Sequence, residues 1–158
     1  MAHILIICTA NICRSPVAEA LIRDRLQKRG LDDWTVSSAG TWAQIRGGAA
    51  ENSVLVMAQQ GLDISDHQSR MVEESHLEQA DLVLCMESGH AEALRTEFSK
   101  YAYKVYLLTA MVGQAYSVHD PIGEPLTAYE RMAKELADLI DKGMDRIVLL
   151  AEENCAVA

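Results

Sequence analysis

Aromatic side chains are sparse in this chain, with a single Phe among 158 residues, and only three prolines interrupt it. So little proline, with no low-complexity tract and no internal repeat, excludes collagen-like and proline-rich linker architectures. No apolar run approaches the ~20 residues that a bilayer-spanning helix needs, so no membrane insertion is expected. The stretch "MAHILIIC" carries no basic flank and is too short for a secretory leader, which makes the cytosol the expected compartment. Basic residues are outnumbered 14 to 23, for a formal charge of −9. That balance argues against a general nucleic-acid or anionic-membrane binder, and any anion site must create its own positive field. The four cysteines, Cys8, Cys13, Cys85 and Cys155, are too scattered for a disulfide framework and read as reduced thiols. No His, Cys and carboxylate group has ligand spacing, so neither a metal nor a cofactor is expected.

What is present is a chain that is about half hydrophobic, long enough for one domain with an ordinary core, here residues 1–158. Four short apolar stretches read as strands: His3–Ile7, Trp34–Ala39, Asp81–Met86 and Lys104–Leu108. "ILII" and "LVLC" are almost continuously apolar, as in parallel strands covered on both faces. Helical spacing runs over Pro16–Arg29, Asn52–Gln60, Val72–Gln79, Gly89–Phe98 and, longest, Leu126 to about Leu149. The tail from about residue 151, "AEENCAVA", offers no evident partner and is expected to fray. Alternating strands and helices predict an α/β three-layer sandwich with a four-stranded parallel sheet, and a monomer is expected. Ligands of such sheets bind beyond the carboxyl ends of the strands, where Cys8 falls.

The stretch "ICTANICRSPVAEA" at residues 7–20 sits at that place. A strand ends at Ile7, Ser15 suits a helix cap and Pro16 a first helical position, where its missing N–H goes unneeded. Thr9, Ala10, Asn11, Ile12, Cys13, Arg14 and Ser15 must then form a tight phosphate-binding loop, its backbone N–H groups gathered at the positive end of a helix. A thiol in such a field, beside a guanidinium, is expected to be a thiolate and a strong nucleophile. Arg14 supplies a planar fork able to hold two phosphoryl oxygens together. A lone cysteine at a strand end is more often packing; the spacing to Arg14 and the Ser-Pro helix start turn the reading toward attack on a phosphate ester. Cys13 could trap an oxidised Cys8 as a disulfide, or simply pack beneath the loop. Cys85 reads as a buried strand residue.

These residues resemble the signature of low-molecular-weight protein tyrosine phosphatases, C-x-G-N-x-C-R-S-P-x-A-E. The resemblance continues through "VSSAGTW", "GLDISDHQSRMV", "DLVLCM" and "DPIG" before a long helix, and covers nearly the whole chain. It implies a phosphocysteine at Cys8, a phosphoryl clamp at Arg14, and a supporting network of Asn11, Ser15, Ser38 and His67. It also implies a phosphotyrosine protein or peptide as substrate and phosphate as product. The family commonly has Gly where Ala10 stands, and a positive φ there would reshape the loop at about 1 kcal/mol or more.

Asp120, restricted to extended backbone by Pro121, is the expected general acid and base, with Glu124 a weaker substitute and His119 a loop neighbour. Ile122 stands where tyrosine-selective relatives often carry an aromatic residue, and Trp42 is a candidate for the opposite wall of the substrate site. Four readings compete with a tyrosine phosphatase. Arsenate reductases on this scaffold use a further cysteine pair, and here only Cys85 is near. Protein-arginine phosphatases tend to carry a small Thr where Ile12 stands. A phosphate-binding module without turnover has no use for Cys8, Arg14 and Asp120 together. A thiol-redox protein would space its cysteines C-x-x-C.

Overall fold

A computed structural model describes residues 1–43 and 47–157. The tripeptide at 44–46, within the "SAGTWAQIRGG" segment, and Ala158 lie outside the described residues. In chain order the elements are β1 (His3–Cys8), α1 (Arg14–Lys28), β2 (Thr35–Gly40), α2 (Glu51–Gln59), α3 (Glu74–Gln79), β3 (Leu82–Cys85), α4 (Ser88–Glu97), β4 (Val105–Leu107) and α5 (Leu126–Val157). Short 3-10 turns at Ser99–Lys104 and Leu108–Val112 flank β4.

The sheet is wholly parallel, ordered β2-β1-β3-β4, with Cys8 opposite Gly40 on β2 and Ile7 opposite Cys85 on β3. Side chains of a strand alternate between faces. Ile4, Ile6 and Cys8 therefore join the core beneath α1, α2 and α5, with Val17, Leu21, Met57, Leu136 and Ile140. Leu5 and Ile7 join the core beneath α3 and α4, with Leu77, Ala91 and Leu94. Burial on both faces explains the continuous apolar runs of β1 and β3. The expected four-stranded α/β sandwich is the observed fold.

Two local expectations are corrected. Ser15 is not the cap of α1: the helix begins at Arg14, Cys13 occupies the cap position, and no side chain caps it. Pro16 lies within the first turn, where it still costs no hydrogen bond. The tail from residue 151 does not fray. α5 continues to Val157, Ala151 is buried, Asn154 Nδ2 donates to the Asp81 carbonyl (2.8 Å), and Cys155 Sγ donates to the Met1 carbonyl (2.9 Å). The partners lie at the amino-terminal edge of β1 and β3, more than seventy residues away in sequence, so no local pattern announces them.

Candidate active site

The loop between β1 and α1 is shaped by what its carbonyls do. The Cys8 carbonyl accepts from Thr41 N–H (3.0 Å), Thr9 from Trp42 N–H (2.9 Å), Ile12 from Ala50 N–H (2.8 Å) and Cys13 from the Ser53 hydroxyl (3.1 Å). The Asn11 carbonyl accepts from His67 Nε2 (2.7 Å), which fixes the proton of that ring on Nε2. With these carbonyls committed to surrounding elements, the loop's N–H groups are the polar groups left to serve an anion, and the start of α1 adds the positive end of a helix.

Asn11 makes this geometry possible. It is the only non-glycine with positive φ (60°) among the described residues, and it is fully buried. Its Nδ2 donates to Ser15 Oγ (2.7 Å) and Ser38 Oγ (2.9 Å), and its Oδ1 accepts from Arg70 N–H (3.0 Å). The side-chain bonds repay the left-handed backbone, which costs about 1–2 kcal/mol in an ordinary residue. Ala10 does not adopt positive φ, so the expected strain at that position is absent. Gly40 of β2 lies directly beneath: a Cβ there would stand 2.3 Å from the Thr9 carbonyl oxygen. Only glycine lets β2 approach the loop so closely.

Cys8 Sγ is buried 2.9 Å from Ser15 Oγ. Because Ser15 Oγ already accepts from Asn11, its own proton is free to point at the sulfur. Arg14 is 1 % exposed, a charge buried in a chain of net negative sign, so its partners matter. Nη1 donates to the Val118 carbonyl (2.7 Å) and pairs with Glu87 Oε2 (2.8 Å); Nη2 lies 3.3 Å from Thr9 Oγ1 and 3.5 Å from Asp120 Oδ2. Nε is buried without a protein partner. A guanidinium so held offers a strong donor to an oxyanion from its Nε side.

Asp120 stands over the mouth. Its Oδ1 accepts from the Ile122 N–H (3.2 Å), and with Ile122 it lines the same narrow pocket as Cys8, Ala10, Ile12, Cys13 and Arg14. Glu124 is turned elsewhere: its Oε2 pairs with His119 Nε2 at 2.5 Å, and both face a groove along α5. The narrow pocket opens into a cleft of about 440 Å³ lined by Ala10, Ile12, Trp42, Ala43, Gly47, Gly48 and Ile122. Trp42 is 64 % exposed and Ile122 53 % exposed, so both are walls of this cleft and not edges of the core. Cys13 Sγ contacts the Tyr129 hydroxyl of α5 at 3.6 Å, and burial pushes its thiol up to about 11 against the pull of that hydrogen bond. Burial likewise pushes the Cys85 thiol up to about 12.

Residues 3–154 match the family model described as low molecular weight phosphotyrosine protein phosphatase. The chain belongs to this family. It is similar to a protein-arginine-phosphatase of Bacillus subtilis (strain 168), 35 % identical over 138 residues that cover 87 % of this chain and 91 % of that one. A low molecular weight protein-tyrosine-phosphatase of Streptomyces coelicolor is 37 % identical over 127 residues, 75 % of this chain and 77 % of the relative. Among solved structures, a low molecular weight protein tyrosine phosphatase from T. tengcongensis superposes with a TM-score of 0.87 at 37 % identity, covering 92 % of this chain and 99 % of that one. This low molecular weight phosphatase is therefore a protein phosphatase, a hydrolase of phosphoric esters.

The structure thus gathers Cys8, Thr9, Asn11, Arg14, Ser15, Ser38, His67 and Asp120 around one cradle and leaves Glu124 and His119 apart. Three participants escaped the sequence reading: Glu87 and His90, at and just after the carboxyl end of β3, and Tyr129. The place of Glu87, two residues beyond a parallel strand adjoining β1, was the available signal.

Proposed function

We propose that this phosphatase hydrolyses phosphotyrosine in proteins or peptides through a phosphocysteine. The observation that carries the reading is the buried Cys8 sulfur beside Ser15, under the same pocket that Arg14 and Asp120 line. The Cys8 sulfur attacks phosphorus in line, the S–P bond forms and the bond to the tyrosine oxygen breaks, with Asp120 giving that oxygen its proton. The loop's N–H groups and Arg14 hold the three equatorial oxygens, where charge accumulates in the transition state. A water that surrenders its proton to Asp120 then attacks phosphorus, the S–P bond breaks, and the Ser15 hydroxyl receives the departing thiolate. Phosphate leaves.

The apolar cleft supports an aryl substrate: Trp42 and Ile122 offer two walls to a ring, and Ile12, bulkier than the Thr expected there in an arginine phosphatase, lines it with them. The arginine-phosphatase relative favours a second reading, phosphoarginine, in which Asp120 would face the guanidinium. Turnover of phosphotyrosine, phosphoarginine and phosphoserine peptides, with Cys8→Ser as the blank, decides between them. The phosphotyrosine peptide is expected to have the highest kcat/KM. A preference for phosphoarginine or phosphoserine would overturn the substrate while leaving the cysteine chemistry standing.

Under peroxide, Cys8 becomes a sulfenic acid. Condensation with the Cys13 thiol releases water and forms a disulfide. Mass spectrometry of a digest without reductant is expected to show the linked peptide, and its absence would remove this protective role.

A further inference from the structure

The five residues after β3, Met86–His90, tie the two halves of the site together. Met86 accepts from Val118 N–H (2.8 Å) and Ser88 N–H donates to Ser117 Oγ (3.1 Å), which anchors the segment leading to Asp120. From the same turn Glu87 pairs with Arg14, and His90 Nε2 lies 2.9 Å from Thr9 Oγ1 and 3.4 Å from Glu87 Oε2. Thr9 Oγ1 is also 3.4 Å from Glu87 Oε2. A carboxylate, a hydroxyl, an imidazole and the guanidinium thus form one closed group behind the cradle.

The donors in this group can be assigned. Thr9 Oγ1 accepts from Arg14 Nη2, so its single proton goes either to Glu87 or to His90. His90 Nδ1 is buried without a partner. A proton there would be an orphaned donor, a rarer and costlier arrangement than a bare acceptor, so the ring proton belongs on Nε2. The chain of donors then runs from His90 to Thr9 and from Thr9 to Glu87, with Arg14 donating to both. Burial lowers the His90 pKa, opposed by the charge of Glu87 and reinforced by Arg14, in keeping with a neutral ring.

The Arg14 guanidinium has two edges that can meet a flat oxyanion. Its Nη1 protons are taken by Val118 and Glu87, Nη2 meets Thr9 Oγ1 at 3.3 Å and Asp120 Oδ2 at 3.5 Å, and Nε has no protein partner. The Nε–Nη2 edge is therefore the more weakly engaged of the two and the one open to an oxyanion. We propose that Glu87, backed by Thr9 and His90, is a positioning residue that turns the Nε–Nη2 edge of Arg14 toward the phosphoryl group. The inference rests on the reading of Arg14 as the phosphoryl clamp. Glu87 does not line the narrow pocket over Cys8; it acts through Arg14, and its effect belongs to the transition state, when the equatorial oxygens need their donors aligned.

A double-mutant cycle tests this with the intact protein, reading kcat/KM for an aryl phosphate, inhibition by orthovanadate, and the thermal midpoint. Glu87→Gln is expected to lower kcat/KM roughly tenfold to a hundredfold, as for loss of a charge-assisted hydrogen bond. Orthovanadate should weaken by a similar factor. Glu87→Asp, which keeps the charge at shorter reach, should fall between the two. In an Arg14→Lys background, where no fork remains to be turned, Glu87→Gln should cost less than about threefold. A merely structural Glu87 would lower the thermal midpoint and cost the same factor in both backgrounds, and that result, or no loss in Glu87→Gln, overturns the proposal. If Arg14→Lys alone leaves kcat/KM unchanged, the clamp itself is misassigned and the positioning role falls with it.

Discussion

The cradle and the acid loop face each other across one mouth and are held by opposite means. In the cradle, Asn11, Arg14 and Ser15 are buried, and their bonds reach residues 27, 59 and 104 positions away. In the acid loop, which is anchored behind Asp120 at Ser117 and Val118, the Asp120 carboxylate has a bond two residues along the chain and an Arg14 contact at 3.5 Å, and His119, Ile122 and Glu124 are exposed. A buried, cross-linked polar group has no cheap alternative conformation. An exposed turn does. On the proposed mechanism, phosphoryl binding falls to the cross-linked element and proton transfer to the exposed turn, so the two should respond differently to substitution.

Asn11→Ala is the strongest way to break that contrast. It removes three hydrogen bonds, leaves Ser15 and Ser38 without their donor, and leaves the φ 60° backbone with nothing to offset it. A loss of about 2–4 kcal/mol in stability is expected, with kcat/KM falling about a hundredfold or more in the molecules still folded. Urea unfolding and aryl phosphate kinetics on the same preparation check both. Asp120→Asn should leave urea unfolding within about 0.5 kcal/mol of the parent and lower kcat roughly a hundredfold, poor leaving groups suffering most. A stability loss like that of Asn11→Ala would erase the distinction between the two regions.

A smaller effect is expected from pH. The Cys13 and Cys85 thiols are raised by burial from an ordinary value of 9.0 to about 11 and about 12. Between 9 and those values the unfolded chain has released protons that the folded chain keeps, so stability must fall as pH rises through this window. Urea midpoints at pH 8 and pH 10.5 measure the fall, and Cys85→Ala should make it shallower. Least of all, Glu124→Gln breaks an exposed pair with His119, and should change stability by under about 0.5 kcal/mol and kcat/KM by under about twofold.

The same contrast decides what could be read from the sequence. β1 and β3 were legible because burial on both faces leaves a continuous apolar run, and α1 because its stripe ends at Gly30, whose φ is 75°. Cys8 and Arg14 were legible through their spacing within one loop, and Asn11 through the family resemblance. Ser15 was read as a cap because its local context fits one; its hydroxyl instead serves Asn11 and Cys8. Glu87 and His90 were not legible, since their partners Arg14 and Thr9 are more than seventy residues distant. The ordered end of α5 was hidden for the same reason. Local chemistry is written locally, and what closes the site is supplied by topology.

The most direct test of the chemistry is to slow the second step and look for the bond. Asp120→Asn, mixed with an aryl phosphate whose leaving group needs no proton, quenched and digested, should yield the Cys8 peptide carrying one phosphoryl group, and Cys8→Ser/Asp120→Asn should not carry it on sulfur. Phosphate released in a burst while the Cys8 peptide stays unmodified, or a phosphoryl group found on another residue, would contradict attack by the Cys8 sulfur.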